Sequence, residues 1–131
     1  MEVGEVYDHT FSFTQEQVDA FALVTGDDNP LHIDRDYAAT TPFKRPIIHG
    51  FLGGSIFSRV FGTLWPGEGT IYLHQSLQFK RPMYVEESYN ARFGVIALDE
   101  RRHRATVRTE ILTLQGKVTI DGEAIIQLPP K

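Results

Sequence analysis

The first part of the chain carries apolar residues at helical spacing. Thr14 and Gln17 have the residue types of a capping box, which predicts that a helix starts at this point. Gly26 is the type of residue that commonly follows the last turn of a helix, so we expect the helix to end there. A mixed run of aromatic and β-branched residues at 3–13 predicts a strand before it. The apolar stripe of the helix consists of Val18, Phe21, Ala22 and Val24.

A second helical pattern covers residues 50–64, although this run contains three internal glycines. Each glycine inside a helix costs roughly 1 kcal/mol relative to alanine, so something must approach the helix closely enough to require them. At α-helical spacing, Gly50, Gly54, Ser58 and Phe61 fall on one face. We therefore predict that backbone or a ligand passes close to the helix on this face.

The second half of the chain has the pattern of strands. Residues 106–111 alternate between Val, Thr or Ile at odd positions and Thr, Arg or Glu at even positions, which is the period of a strand with one buried face. A turn at Gln115–Gly116 joins the last two strands. A helix followed by antiparallel strands predicts an α+β layer in which the sheet wraps the helix. The four strand-like runs are 70–79, 84–98, 103–114 and 117–128.

The composition is that of a globular protein. A chain of 131 residues, with 41% hydrophobic and 23% charged residues, has the size and apolar content of one domain, which we place at residues 1–131. The formal net charge of -4 gives no overall attraction to nucleic acid or to an anionic membrane surface. We therefore expect neither nucleic acid nor a membrane as a partner.

Cysteine is absent, which excludes disulfides, thiolate metal sites and cysteine nucleophiles. The start, MEVGEVYDHT, is acidic and lacks the basic and apolar regions of a signal peptide. No stretch approaches the ~18 apolar residues that a membrane span needs. We expect the protein to be cytoplasmic.

The segment Gly26–His32 is the richest in chemically active side chains. It reads GDDNPLH, and its glycine and proline restrict the backbone around Asp27, Asn29 and His32. With ordinary pKa values of ~3.9 and ~6.5, an aspartate and a histidine together can take a proton from water and return one to a substrate. Alternatively, Asp27 and Asn29 only cap turns and His32 is an ordinary loop residue. Spacing alone leaves both interpretations open.

Other kinds of site fit the sequence poorly. Leu31 and His32 stand where an EF-hand calcium loop needs a different pattern, so we predict no metal. The glycines of residues 50–64 lack the spacing of a nucleotide-binding motif. Ser55 and Ser58 lack the Gly-x-Ser-x-Gly pattern of a serine hydrolase.

Three runs of the sequence carry a resemblance to a known family. They read FALVTGDDNPLHIDRDYA at 21–38, FKRPIIHGFLGGSIFS at 43–58 and IYLHQSLQFKRPMYV at 71–85. The pattern Gly-Asp-x-Asn-Pro-x-His, with His-Gly downstream, resembles the signature of the MaoC-like hydratases, the (R)-specific enoyl-CoA hydratases. The resemblance implies the α+β hot-dog fold, in which an antiparallel β-sheet wraps a long central helix.

The resemblance also implies roles for individual residues. The catalytic aspartate and histidine of the family fall on Asp27 and His32, and the asparagine that helps to fix the site falls on Asn29. The glycine whose amide faces the thioester carbonyl oxygen falls on Gly50. A donor at a helix start suits an oxyanion, because helix N-terminal amides are unpaired and lie at the positive end of the helix dipole.

Further residues are assigned to the substrate and to the loop. We expect the acyl chain to pass Ser58 and to be limited in depth by Phe61. His49 precedes the oxyanion glycine, and we expect it to fix the loop by a hydrogen bond. Lys44–Arg45, Arg59 and Lys80–Arg81 are candidates to meet the phosphates of CoA.

The implied activity is that of a hydro-lyase in fatty acid metabolism. It adds water to trans-2-enoyl-CoA and gives (R)-3-hydroxyacyl-CoA, reversibly and without a cofactor, since CoA is part of the substrate. The resemblance implies a homodimer or a larger assembly. Alternatives are a 3-hydroxyacyl-acyl carrier protein (ACP) dehydratase, a thioesterase, and a non-catalytic acyl-CoA-binding hot-dog module. The intact pair Asp27 and His32 argues against the last of these.

Overall fold

The computed structural model describes residues 1–131 and contains one six-stranded sheet, in which all neighbouring strands pair antiparallel. The strands are β1 (Val6–Phe11), β2 (Ile71–Gln75), β3 (Gln78–Phe79), β4 (Tyr89–Asp99), β5 (Arg104–Thr113) and β6 (Val118–Gln127). Their order across the sheet is β1-β4-β5-β6-β2, and the short β3 also pairs with β6. The first and last strands of this order, β1 and β2, form its two edges.

Four α-helices accompany the sheet. They are α1 (Gln15–Thr25), α2 (Pro30–Ile33), α3 (Arg35–Ala39) and α4 (Gly50–Arg59), and α4 continues into a π-helix at Val60–Leu64. The start and end of α1 are confirmed: the Thr14 and Gln17 side chains form a capping box, and Gly26 follows the helix with φ at 79°. The apolar stripe was wrong at one position, because Val24 is 84% exposed.

Helix α4 lies on the sheet, and the core lies between them. Alternate residues of β4 and β5 point into this core, where Val107, Thr109 and Ile111 are fully buried as the alternation predicted. The ring of Phe57 on α4 meets that of Phe93 on β4 edge to face, with ring centroids 5.7 Å apart. Edge-to-face packing is a favoured arrangement of aromatic pairs in cores. A helix on an antiparallel sheet is the predicted α+β hot-dog architecture, which is confirmed.

The strands are shorter than the sequence patterns suggested. The run 84–98 was expected to be one strand, but β4 starts only at Tyr89, since Glu86 has a positive φ of 63° that a strand does not allow. The run 70–79 is divided into β2 and β3. Between them, the carbonyl oxygen of Ser76 would lie 1.8 Å from a Cβ at Gly122, so only glycine lets these strands approach so closely.

Trp65, the only tryptophan, directly follows the π-helix that extends α4 and packs against the core. Its ring stacks on that of Tyr7 in β1, with centroids 5.4 Å apart and planes 7° from parallel. Its indole N–H donates to a carboxylate oxygen of Glu5 at 2.9 Å. This hydrogen bond is the main reason that the pKa of Glu5 is lowered. None of the helices is both long and apolar enough to span a membrane.

Candidate active site

The candidate residues lie along residues 26–50, here called the site segment, which connects α1 to α4. Gly26 ends α1, and Asp27 follows with its amide donating to Thr25 Oγ1 at 3.2 Å. Asn29 caps α2, because its side-chain oxygen accepts from the Leu31 amide at 3.1 Å. Pro30 occupies the first turn of α2, where its missing N–H costs nothing. This turn carries His32 back towards Asp27.

His32 has a defined tautomer. Its Nδ1 lies 2.7 Å from the carbonyl oxygen of Ile47, and a carbonyl can only accept, so Nδ1 carries the hydrogen. In the neutral ring, Nε2 therefore presents a lone pair that can accept a proton from water. Burial lowers the pKa of His32, and the neighbouring His49 lowers it further, whereas the Ile47 hydrogen bond and Asp27 raise it. The net direction is downward, which favours the neutral base near pH 7.

His49 contacts both catalytic candidates, Asp27 and His32. It is 2% exposed, and its Nε2 donates to the backbone oxygen of Asp27 at 2.9 Å, so the predicted hydrogen bond to the loop is present. Its ring stacks on that of His32, with centroids 3.9 Å apart and planes 26° from parallel. The Phe21 ring of α1 also packs on the His49 ring, with centroids 4.7 Å apart and planes tilted by 52°.

Gly50 is the first residue of α4. No side chain caps this helix, so the Gly50 N–H is unpaired at the positive end of the helix dipole. The Phe79 ring lies so close that a Cβ at Gly50 would be 2.7 Å from it, which explains the need for glycine. A cavity of about 360 Å³ adjoins Gly50, and its lining includes Phe43, Phe79 and Met83 together with the cations Lys80 and Arg81.

Asp27, His32 and His49 each place a potential ligand atom within 4.8 Å of the other two. A carboxylate and two imidazoles are ligand types that bind transition metals, so these residues are the ones that could hold a cation. The carboxylate of Asp27 and the free Nε2 of His32 are equally suited to hold one water molecule and move its protons. The structure thus brings Asp27 and His32 together.

Ser58 and Phe61 lie elsewhere. Ser58 is exposed on α4, whereas Phe61 is 1% exposed and packs in the core against Tyr72 and Phe93, so the prediction that Phe61 lies on the same face as Ser58 was wrong. One reason is that α4 widens into a π-helix at Val60–Leu64, so ideal α-helical spacing does not hold to its end. Their contact with an acyl chain stays a prediction.

Several residues of the site escaped the sequence analysis. The Gln15 side chain donates to the His32 backbone oxygen at 2.9 Å, and the Ile47 oxygen fixes the His32 ring. Phe43 and Phe79 line the cavity beside Gly50. A backbone oxygen leaves no mark on residue identity, but the aromatic residues flanking two Lys and Arg pairs were a signal that could have been used.

Comparison with known proteins gives a consistent result. Residues 1–116 match the family described as MaoC like domain. The (R)-specific enoyl-CoA hydratase of Aeromonas caviae is 45% identical over 129 residues, covering 98% of this chain and 96% of that protein. A mitochondrial 3-hydroxyacyl-[acyl-carrier-protein] dehydratase of Arabidopsis thaliana is 34% identical, over 98% of this chain and 78% of that protein.

Solved structures agree in fold. The (R)-hydratase from A. caviae involved in PHA biosynthesis superposes with a TM-score of 0.94 at 45% identity, covering 98% of both chains. The R-hydratase PhaJ1 from Pseudomonas aeruginosa has a TM-score of 0.94 at 39% identity, covering 100% of this chain and 84% of that one. With the motif, the fold and the full-length similarity in agreement, this chain belongs to the MaoC-like family.

Proposed function

We propose that this protein is an (R)-specific enoyl-CoA hydratase, a hydro-lyase that adds water to trans-2-enoyl-CoA and gives (R)-3-hydroxyacyl-CoA. The observation that carries the proposal is the convergence of Asp27 and His32, whose Nδ1 is held by Ile47, in the same segment that ends at the unpaired amide of Gly50. The 45% identity to a hydratase of this specificity supports it.

The chemistry follows from these groups. Asp27 and His32 hold a water molecule and remove one proton as its oxygen bonds to C3 of the substrate. The electrons of the C2–C3 double bond move towards the thioester, whose oxygen gains negative charge opposite the Gly50 amide. The proton then reaches C2, so the product contains every atom of substrate and water. A preorganised amide at a developing oxyanion is worth ~3 kcal/mol in the barrier.

Addition of water neither oxidises nor reduces the substrate overall. The atoms and electrons balance with the thioester and water alone, and we expect activity without an added cofactor. The CoA part would lie at the protein surface, where Lys80 and Arg81 at the rim of the cavity offer positive charge to its phosphates. Lys80 is paired with Asp121 at 3.1 Å, so it would have to exchange this partner for a phosphate.

We also propose that the active form is a homodimer. Near the exposed Asp27, the end of α1 presents Leu23 and Val24 with 85% and 84% of their surface exposed. Edge strand β2 leaves one side without a partner strand, and its Ile71 is 58% exposed. Unpaired edges favour strand pairing between chains, and exposed apolar patches favour association. A second copy over the end of α1 would cover the exposed side of Asp27.

A second candidate is a 3-hydroxyacyl-ACP dehydratase, which removes water from the same kind of thioester on a protein carrier. The plant relative with that name favours it, since the similarity covers nearly the whole of this chain. The two functions share the acid–base pair and differ in the carrier. Rates with matched CoA and ACP thioesters distinguish them, and thioester binding without turnover would indicate a non-catalytic module.

The direct test is the loss of conjugated-enoyl absorbance from crotonyl-CoA and longer enoyl-CoAs. Asp27→Asn and His32→Gln should each lower kcat by about 10² to 10⁴ because each removes a proton-transfer group. Asp28→Asn, at the exposed carboxylate next to Asp27, and His103→Gln, at a histidine outside the site segment, are matched controls and should keep wild-type rates. Chiral chromatography of the hydrolysed product should give the (R)-acid. Folded Asp27 and His32 variants with full activity would refute the proposal.

A further inference from the structure

His49 contacts Asp27 and His32 and directly precedes Gly50. It is the N-cap residue of α4, so its backbone directly precedes Gly50. Its side chain turns away from the helix and contacts the start of the site segment, 22 residues earlier in the chain. It is almost fully buried, and its Nδ1 has no hydrogen-bond partner.

The first contact of this side chain concerns Asp27. Asp27 is exposed, and α1 has already ended before it. Its backbone is held on the amide side by Thr25 at 3.2 Å and on the carbonyl side by His49 at 2.9 Å. Without the His49 donor, the peptide that follows Asp27 would lose its link to the start of α4.

The second contact concerns His32. The bond from Nδ1 to Ile47 holds one atom at the edge of the ring and contacts neither of its faces. The His49 ring lies 3.9 Å from it in a stacked arrangement and closes one face. Together the two contacts fix the direction in which the free Nε2 of His32 points.

We propose that His49 is the positioning residue of this site, which sets Asp27, His32 and the Gly50 amide relative to one another through one buried ring. The inference rests on the proposed hydratase function for its kinetic consequences, but the geometric role is independent of the reaction. A misplacement of about 1 Å can cost about 10² in rate, so such a residue matters without touching the reacting atoms.

The two contacts can be separated by substitution. His49→Phe keeps a ring to stack on His32 but lacks the donor to the Asp27 oxygen. His49→Gln keeps an N–H donor at a similar reach but lacks the ring. His103→Phe is the matched control, because His103 also binds a backbone oxygen, that of Pro129 at 2.8 Å, outside the site.

The experiment combines nitrogen NMR of the histidine rings with steady-state kinetics of hydration. In the wild type, His32 should show the Nδ1–H tautomer and titrate below the ordinary value for histidine. Its titration midpoint should rise in both His49 variants, because the neighbouring imidazole that disfavours its charge is gone. The charged and titratable groups beside His32 are Asp27 and His49, so Asp27→Asn calibrates the opposite shift. His103→Phe should leave the midpoint unchanged.

In kinetics, kcat should fall by about tenfold to 10²-fold in both His49 variants, with KM little changed, because the substrate still binds to a misaligned site. Variants that lose only thermal stability, with wild-type kcat per folded molecule and an unchanged His32 midpoint, would overturn the inference. If the wild type hydrates no enoyl-CoA but His32 loses its single Nδ1–H tautomer in both His49 variants, the proposed function fails while the positioning role of His49 stands.

Discussion

The core between α4 and the sheet and the site segment are built on opposite principles. In the core, 18 buried residues form one continuous cluster, and Phe57, Phe93 and Ile111 contribute by area and shape. In the site segment, Asp27 is exposed and position depends on single hydrogen bonds, such as those from His49 and to Ile47. We therefore expect stability to reside mainly in the core and the proposed chemistry mainly in the segment, and mutations should separate the two.

The largest expected effect is the loss of stability caused by a substitution in the core. Phe57→Ala should lower the free energy of unfolding by about 3–5 kcal/mol, because it removes a fully buried ring and leaves a cavity beneath α4. Chemical denaturation measures the loss, and kcat per folded molecule should stay close to wild type. Leu114→Ala is the control, since Leu114 is 66% exposed. If both variants lost equally little stability, the core would not be the main source of stability.

If Phe57→Ala does not fold, Phe57→Leu keeps most of the buried volume and allows the same comparison at a smaller loss. An activity decrease larger than the loss of folded protein would show that core and site are coupled.

The second prediction concerns a substitution in the site segment, at Gly50, that should lower the rate. Gly50→Ala keeps the amide but adds a Cβ that meets the Phe79 ring at 2.7 Å, so either the ring or the helix start must move. A displaced amide should lower kcat by about 10², with little change in the unfolding free energy. The double variant Gly50→Ala with Phe79→Ala removes the collision and should recover part of the rate. No recovery would contradict this steric account.

The smallest expected effect sharpens the comparison through pH. Because the pKa of His32 is lowered from 6.5, kcat/KM for hydration should stay constant down to pH 6.5 and fall only below it. The fall should approach tenfold per pH unit, as expected when one neutral base is lost. Initial rates measured over a pH series give this dependence of kcat/KM on pH. A decline that begins above pH 7 would contradict the prediction.

The lowered pKa of His32 also makes the stability of the fold depend on pH. Below pH 6.5 the unfolded chain takes up the proton on His32 before the folded chain does, so stability falls as the pH drops through the folded pKa and is fully present above 6.5. The pKa of His9 is lowered as well, by burial and by Arg59, and it acts in the same direction.

Structural features that depend only on residues close together in the sequence could be predicted. The Thr14 cap, the Gly26 stop, the start of α4 at Gly50 and the turn at Gly116 each depend on neighbouring residues, and the structure has all of them. The exposure of Val24 could not be predicted, because periodicity identifies an apolar residue but not what covers it. The π-helix, which begins after Ser58, likewise departs from the α-helical spacing that was used to place Phe61.

The site divides in the same way. Asp27, His32 and Gly50 stand in a motif and were found from it. Their supports were found only in part, since the Ile47 oxygen and the approach of Phe79 depend on chain folding over distances that no local pattern records. Sequence therefore supplied the candidate reacting groups, and three-dimensional structure was needed to identify what holds them.

The single tryptophan gives this molecule an optical probe at a useful place. Trp65 stacks on Tyr7 and is bonded to Glu5, so its indole joins the far end of α4 to edge strand β1. With α4 and its π-helical extension between them, it lies about 20 Å from Gly50 at ~1.5 Å per residue. Intrinsic fluorescence can thus follow unfolding of the core without a label, while turnover reports separately on the other end of the same helix.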